Sequence, residues 1–519
     1  MKSKATIALT VLTIMSTASV AFGQIIPDNM RINWAPGVPG GIPDYPVEYD
    51  IVEDFGAVGD GVTDSTQAFV EALAATTPGH ALYLPEGTFR VTDTLDITHG
   101  IAIRGAGPTR TVIHSAHENS TFTIFGEDPV QVTTLFAAAG KDAQTIQVAS
   151  ADGLATGDLV QLNRPDEVAQ IVEIAEVSDT QLTITGVLYS DFPEGSTVAR
   201  HDMVYGAGVE DMKIITDWPE LDGYVNVAKV AMRYSAQSWV KNIEATGYSG
   251  REVWMIDVFQ CEVRDSYFHQ DLEAALAQDF FTIYGINMVE GCTDTLIENN
   301  LFNIYRHAMV IQLNNAGGNV FGYNMSWDCY TQNQTDAEAG TRREIIGDID
   351  FHHQQVETTL FEGNHAEYVR FNDGSEEYRK LNNVLLRNRI TQSGINANEH
   401  VNYIIGNELP QRKYESSDGS WIPSNDIRSG AGPVLHGNYV VYDGEGLTWN
   451  PSIEDREIPV SYYLSERPGW FCDLAWPAFG GDLMPDNKRR SPAEVRFWSM
   501  QFPEESPSDL TLNAEADGV

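Results

Sequence analysis

The sequence predicts an all-β chain wound as a parallel β-helix solenoid, with an amino-terminal capping helix and a small inserted β module. Three observations carry that prediction. Six segments ("TLIENN", "NVFGYN", "TLFEGN", "NVLLRN", "NYIIGN", "PVLHGN") each place an apolar residue four positions before an Asn. A turn-rich stretch, "DFGAVGDGVTDSTQAF" at 54–69, leads into one short amphipathic segment. Brief strand-like pieces with little helical period make up much of the remainder.

The repeat comes first. Its asparagines are Asn300, Asn324, Asn364, Asn388, Asn407 and Asn438, spaced by 24, 40, 24, 19 and 31 residues. Removing two polar loops, 327–347 and 411–430, brings the long gaps towards the short ones. A unit this short has no room for helices, so its strands must stack on the equivalent strands of the next turn. Each Asn then sits at a corner, stacked in an amide ladder and bonding backbone that the bend leaves unpaired. "GVEDMKI", "WVKNIEA" and "CEVRDSYF" read as the same unit without the Asn.

A coil of this kind exposes apolar core and unpaired strand edges at each end, which invites edge-to-edge association. The segment after the Gly/Asp turn suits a cover. Asp64 is the expected N-cap, with Gln67 three residues on as in a capping box. Ala68, Phe69, Ala72 and Leu73 share one helical face, and Pro78-Gly79 ends the element.

The remaining boundaries follow from texture. Residues 1–23 read as a signal peptide: Lys2 and Lys4, an apolar run to Val20, and a small-residue cleavage site at Ala21-Phe22-Gly23. Residues 24–50 form a Pro/Gly-rich extended arm, and 51–126 the cap and first coils. Residues 127–202 alternate apolar and polar between tight turns and read as the inserted module. The main coils run over 203–445, a covering segment over 446–503, and a disordered tail over 504–519.

A formal net charge of −42 on 519 residues, or −44 once Lys2 and Lys4 are removed, argues against nucleic acid and anionic membranes as partners. It reads as a solubility adaptation, with cation binding as the functional alternative. No stretch after the leader is long and apolar enough to span a bilayer, so the expectation is a soluble, secreted or periplasmic protein. The four cysteines show no metal-ligand spacing, and their positions do not give a disulfide pairing.

At this point the residues resemble a known family. "DFGAVGDGVTDSTQAF", with "LYLPEGTFRV" and "IAIRGAG", is similar to the amino-terminal signature of the pectate-lyase superfamily, of the rhamnogalacturonase/epimerase-like type. The resemblance is strong over about 50–115 and agrees in style over 205–442. It implies a right-handed parallel β-helix. It leaves the activity open, because that group spans lyases, glycoside hydrolases, epimerases and phage tailspikes. The Asn-Thr-Asp, Asp-pair and His-Gly pattern of polygalacturonase-like relatives is not present as such. "LHGN" supplies a His-Gly without the Asp pair upstream.

Chemistry is read from strand phase, since side chains alternate between the packed interior and solvent. In "IIGDIDFHHQQ", with Ile349 and Phe351 inward, Asp348, Asp350 and His352 point outward, their Cα atoms roughly 6.6 Å apart. Such a row can bind a divalent cation, with Asp348 and Asp350 as ligands for Ca²⁺, or divide acid and base roles. The ordinary alternative is a solvated strand face. In "NIYRHAMVIQL", Arg306 faces out and suits a substrate carboxylate, while His307 falls in the core phase unless a bend resets the count. "FEGNHAEYVRFNDG" adds Glu362, Arg370 and Asp373. Trp327 and Tyr330 are offered for stacking on sugar rings, with plain packing as the alternative.

The leading expectation is an exported enzyme that cleaves a uronate-containing polysaccharide by β-elimination. Arg306 or a cation would neutralise the sugar carboxylate, and His352 or His353 would act as base. The alternatives are a glycoside hydrolase using two of Asp348, Asp350, Glu362 and Asp373, and a non-catalytic glycan-binding surface protein.

Overall fold

The computed structural model describes residues 25–501, apart from 167, 217–226, 248, 271–282, 314, 330, 333–342, 345–346, 353–354, 372–379, 397–401, 410–412, 416–420, 424–432, 441–445 and 484–488. Three walls of parallel strands wind around one continuous apolar core. The first wall stacks Phe122–Phe125, Ala228–Arg233, Arg251–Ile256, Tyr284–Val289, His307–Gln312 and Ile349–His352. The second includes Leu296–Glu298, Val356–Glu362, Val384–Leu386 and Tyr403–Ile405. The third includes Leu301–Asn303, Met325–Trp327 and His365–Arg370. The expected parallel β-helix is the observed fold.

The corner between the second and third walls shows how the sequence enforces the winding. The residue before each ladder Asn is left-handed: Asn299, Tyr323, Gly363, Arg387, Gly406 and Gly437 have φ between 53° and 67°. That conformation turns the chain sharply and leaves backbone groups facing the neighbouring rungs. The six asparagines fill the gap. Asn300 donates both its backbone N–H and its side-chain amide to Asn324 Oδ1, at 3.0 Å each. The same pair of bonds runs from Asn324 to Asn364, on to Asn388, to Asn407 and to Asn438. Each amide also reaches a carbonyl of the preceding rung, as Asn364 does to Phe321 at 2.9 Å. Ser266 takes the ladder place one rung before Asn300, accepting the Ile243 N–H and receiving support from Asn300 in turn.

A second ladder, not foreseen, occupies the corner that leads into the second wall. Asn319 accepts from Thr295 N–H, and Asn383 accepts from Thr359 N–H and donates to Asn402. Inside, like stacks on like: Phe321 lies 4.7 Å from Phe361 and Phe351 4.1 Å from Phe371, each pair within 12° of parallel. Equal rung height places equivalent side chains face to face, which is how a solenoid reaches core packing density.

The amino-terminal helix runs Thr66–Ala75 and buries Phe69, Ala72 and Leu73, with Phe69 edge-on to Phe89 in the first coils. The capping differs from expectation by one residue. Ser65 holds the cap position without a side-chain bond, and Asp64 Oδ1 accepts from the Thr66 N–H. Gln67 reaches forward to Glu71 instead of back, so no capping box forms. The aspartates and glycines before it are turn formers: Asp60 accepts from Val62 and Thr63 N–H, and Gly56 closes a one-turn helix at φ 72°.

Residues 127–202 form antiparallel strands around their own core of Val160, Val172, Ile174, Leu182 and Phe192. This module docks beside the first wall. Gln161 donates to Asp257, Ile171 N–H to Thr293 Oγ1, and Tyr189 OH to Asp294 at 2.5 Å. The carboxy-terminal segment covers the other two walls. Tyr463 OH donates to Glu298, and the Phe471 and Phe479 rings pack with Tyr323. The helix Pro492–Gln501 lays Ala493 and Phe497 on Leu301 and Met325. In the arm, Ile25, Ile26 and Trp34 pack on the outer face of the second wall. All four cysteines are free thiols, with Cys472 alone exposed.

Replacing Asn364 with Ala orphans the Asn324 backbone N–H and the Phe321 carbonyl in a dry corner. Unfolding free energy is expected to fall by about 2–5 kcal/mol in denaturant titration. Asn438→Ala, at the last rung, is expected to cost clearly less, and equal losses would contradict a stacked ladder.

Candidate active site on the outer face of the first wall

The phase of the His307–Gln312 strand decides what the first wall presents. Ala308 and Met309 are consecutive and both belong to the core. Two inward residues in a row mean that the alternation resets between them, so His307 turns outward after all. Arg251 and Tyr284 occupy the same register column in the two preceding rungs. The outer face of this wall therefore carries Arg251, Trp254, Tyr284, Asn287, His307, Gln312, Asp350 and His352. Arg370 joins it from the next rung, in register with Asp350.

Asp350 is the centre of the group. Arg370 grips it with both arms of the guanidinium, Nε at 2.7 Å and Nη2 at 2.8 Å. Its Oδ2 lies 3.2 Å from His352 Nδ1 and 3.5 Å from His307 Nε2. Burial works against ionisation here, yet the His307 ring, the Arg370 fork and His352 outweigh it and hold the carboxyl well below the usual range. His307 is fully buried, and its Nδ1–H donates to the Gly347 carbonyl at 2.5 Å. Burial and the nearby Arg370 and Arg306 charges push the His307 ring down to about 3 despite Asp350. It is therefore a neutral imidazole near neutral pH, where the Arg370 fork supplies the positive charge beside Asp350.

Along the same face, Arg251 Nε donates to Asn287 Oδ1 at 2.7 Å, and its guanidinium lies over the Trp254 ring at 4.7 Å. The half-buried Arg306 lies 6.0 Å from the Tyr284 ring centre. Buried polar atoms here without a hydrogen-bond partner within the protein include Asn287 Nδ2, Trp254 Nε1 and Gln312 Oε1. Buried polar atoms are rarely left so, and all three belong to residues of this outer face.

Several expected site residues lie elsewhere. Asp348 does not line up with Asp350 and His352. It aligns with core residue Ala308, one rung back, and turns into the coil, where Oδ2 accepts from Ser326 Oγ at 2.6 Å and Glu367 N–H at 2.7 Å. The same alternation reset that turns His307 outward turns Asp348 inward. Asp348 and Asp350 therefore face opposite sides of one sheet, which removes the paired cation site expected of them. Among the described residues, no group of three or more His, Cys, Asp or Glu is placed to hold a metal ion.

Glu362 lies on the second wall beneath the carboxy-terminal segment, accepting from Tyr323 OH at 3.0 Å and Tyr462 N–H at 2.8 Å. It holds a cover in place and is remote from Asp350 in the register. Trp327 packs on Phe497, Trp498 and His365 under the last helix, not in a groove. His353, Tyr330 and Asp373 lie outside the described residues. Sequence reading missed Arg251, Trp254, Tyr284 and Asn287, because "REVWMID" and "YGINMVE" lack the Asn marker that flags a rung. The available signal was their shared pattern with "RHAMVIQ": a polar residue, a small or acidic one, then alternating apolar positions.

Residues 51–298 match the family model described as rhamnogalacturonase A/epimerase, pectate lyase-like. This part of the chain is thus similar to the pectate lyase-like domain that the family describes. A stretch of 62 residues, 12% of the chain, is 40% identical to the pre-neck appendage protein of Bacillus phage B103, of which it spans 7%. The tailspike Gp54 of Acinetobacter baumannii bacteriophage AP22, solved with A. baumannii capsular saccharide, aligns over 70% of this chain and 58% of its own, at 13% identity and TM-score 0.45. The A-module of the Azotobacter vinelandii mannuronan C-5 epimerase AlgE4 aligns over 76% of this chain and 88% of its own, at 14% identity and TM-score 0.35. No helix among the described residues is long and apolar enough to cross a membrane.

The interior carboxylates make a pH prediction. Burial raises Asp348 to about 6, and burial with the Asp348 charge raises its neighbour Glu367 well above the usual range. The folded state thus holds protons that the unfolded chain releases near pH 4. Their contribution is complete below that pH and is lost as pH rises through about 6 and beyond. Unfolding free energy measured from roughly pH 4 to 8 is expected to decline, and Glu367→Gln is expected to flatten that decline. An unchanged slope in the variant would contradict a proton held on Glu367 inside the coil.

Proposed function

We propose that the protein is an exported carbohydrate-active enzyme that cleaves a uronate-containing polysaccharide by β-elimination on the first wall. The observation that carries this reading is the Asp350 carboxylate. It is fixed by Arg370 and sits beside the His352 ring on a face that also holds Arg306 and the unpartnered polar atoms of Asn287, Trp254 and Gln312.

The chemistry divides as follows. The Asp350 carboxylate, 3.2 Å from His352 Nδ1, favours the tautomer protonated on that nitrogen, which leaves Nε2 with a lone pair for the substrate. Arg306 binds the uronate carboxylate and so lowers the cost of charge developing at C5. His352 Nε2 removes the C5 proton, the C4–O bond breaks, and the C4–C5 double bond forms. The imidazolium of His352 then delivers that proton to the departing glycosidic oxygen, which returns the ring to its starting state. Arg251, Asn287, Trp254 and Gln312 position neighbouring sugars. The signal-peptide reading of residues 1–23 supports secretion or periplasmic export, although those residues lie outside the described ones.

Hydrolysis draws less support. Two carboxylates must flank the scissile bond, but Asp348 is inside the coil, Glu362 is under the tail and Asp350 is committed to Arg370. Charge neutralisation by a divalent ion is likewise replaced by arginine in this reading, so EDTA is expected to leave turnover unchanged.

Purified protein is to be incubated with a panel of uronate polysaccharides while the ultraviolet absorbance of unsaturated uronate is followed. Growth of that absorbance is expected, and His352→Ala is expected to lower kcat by about 10²–10⁴-fold. Arg306→Ala is expected to lower kcat/KM at least comparably. New reducing ends without absorbance would overturn the elimination, and binding without either product would leave a glycan-binding protein.

A further inference from the structure

A cavity among the described residues lies away from the first wall, where three parts of the chain meet. It encloses about 700 Å³. The arm contributes Asn29 and Met30, the inserted module Lys141, Arg164, Asp166, Tyr189 and Asp191, and the second wall Glu357, Leu381 and Asn382. That volume is within the range of small-ligand sites, and the elimination chemistry makes no use of it.

The charged lining is already assembled. Arg164 bonds Asp166 with Nε at 2.8 Å and Nη2 at 2.5 Å, while Nη1 donates to Ser190 Oγ at 2.7 Å and lies 3.5 Å from Glu357. Lys141 is held by Asp142 at 2.7 Å and by the Arg31 carbonyl at 3.2 Å, and its backbone N–H donates to Asp191. Side chains fixed by one another hold donors and acceptors in set directions, so little order is lost when a ligand binds. The buried Asn382 Oδ1 has no donor within the protein.

The lining also selects the ligand. Four carboxylates (Asp142, Asp166, Asp191 and Glu357) face two cations, so a polyanion is repelled. A metal ion is disfavoured because Arg164, Lys141 and backbone amides already occupy these carboxylates. What remains is a ligand whose groups both donate and accept and which has an apolar face for Met30, Tyr189 and Leu381. A pyranose has both.

We propose that this cavity is a second carbohydrate site, selective for an uncharged oligosaccharide. It would hold a neutral side chain or flanking block of the glycan while the first wall engages the uronate. The site does not depend on the elimination reading and is testable whatever the first wall does.

The full-length mature protein is to be titrated calorimetrically with neutral oligosaccharides (galacto-, xylo- and manno-oligosaccharides) and separately with oligouronates. Saturable binding of at least one neutral oligosaccharide is expected. Lys141→Ala is expected to weaken it by at least about tenfold, as loss of a charged donor does. Gly140→Phe is expected to block it by filling the mouth, since a Cβ at Gly140 meets only Asp191, at an ordinary 3.6 Å. His352→Ala is expected to leave it intact. Near-native melting temperatures for both pocket variants confirm that the module still folds. Absence of neutral-sugar binding in the native protein would overturn the proposal. So would neutral binding that survives both pocket variants, or Lys141-dependent binding of oligouronates alone.

Discussion

Equal rung height at the corners is the constraint on which everything else rests. A left-handed residue followed by an Asn turns the chain and seals the exposed backbone at the same time. The Asn also fixes how far each rung sits from the next, because its amide bonds the rung on either side. Once the corner is fixed, the strands that leave it are in register without further instruction. The Phe stacks of the interior and the polar columns of the outer walls both follow from that register.

The candidate site is a product of the same geometry. Arg370 and His307 are 63 residues apart in sequence, yet both approach Asp350 because three successive rungs present one register column after another. A helical or antiparallel scaffold would need long loops to gather them; a solenoid only needs turns of constant height. The inserted module and the carboxy-terminal segment leave this face for other work. The module flanks the first wall through Asp257, Thr293 and Asp294, and the tail covers the second and third walls. Glu298 and Glu362, raised by burial to about 7 and bonded to Tyr463, Tyr323 and Tyr462, anchor that tail rather than catalyse.

Much of the fold was legible in the sequence, and the reason is local. The Asn ladder, the Gly/Asp turn before the first helix and the alternation of the inserted module are each written in adjacent residues. The site was legible only in part. Asp350 and His352 were found because strand phase holds from Ile349 to His352. The same rule misplaced Asp348, and it gave His307 an outward place only through a bend that resets the count, because it assumes unbroken alternation. At the start of this wall two consecutive residues face inward, as Ala308 and Met309 do, and periodicity of two cannot express that. Trp327 and Glu362 were misread for a different reason. Both are outward in phase, but the chain's own tail covers them, and a contact with residues more than 99 positions away leaves no local mark. Asn287, Trp254 and Gln312 carry ordinary strand composition and acquire meaning only from the columns they stand in.

The central claim is that this outer wall removes the C5 proton of a uronate. The most direct measurement compares turnover of a uronate oligomer carrying deuterium at C5 with turnover of the protiated oligomer. A primary isotope effect on kcat/KM that vanishes with the activity in His352→Ala is the predicted result. Identical rates for the two substrates, with saturated products bearing new reducing ends, would contradict it.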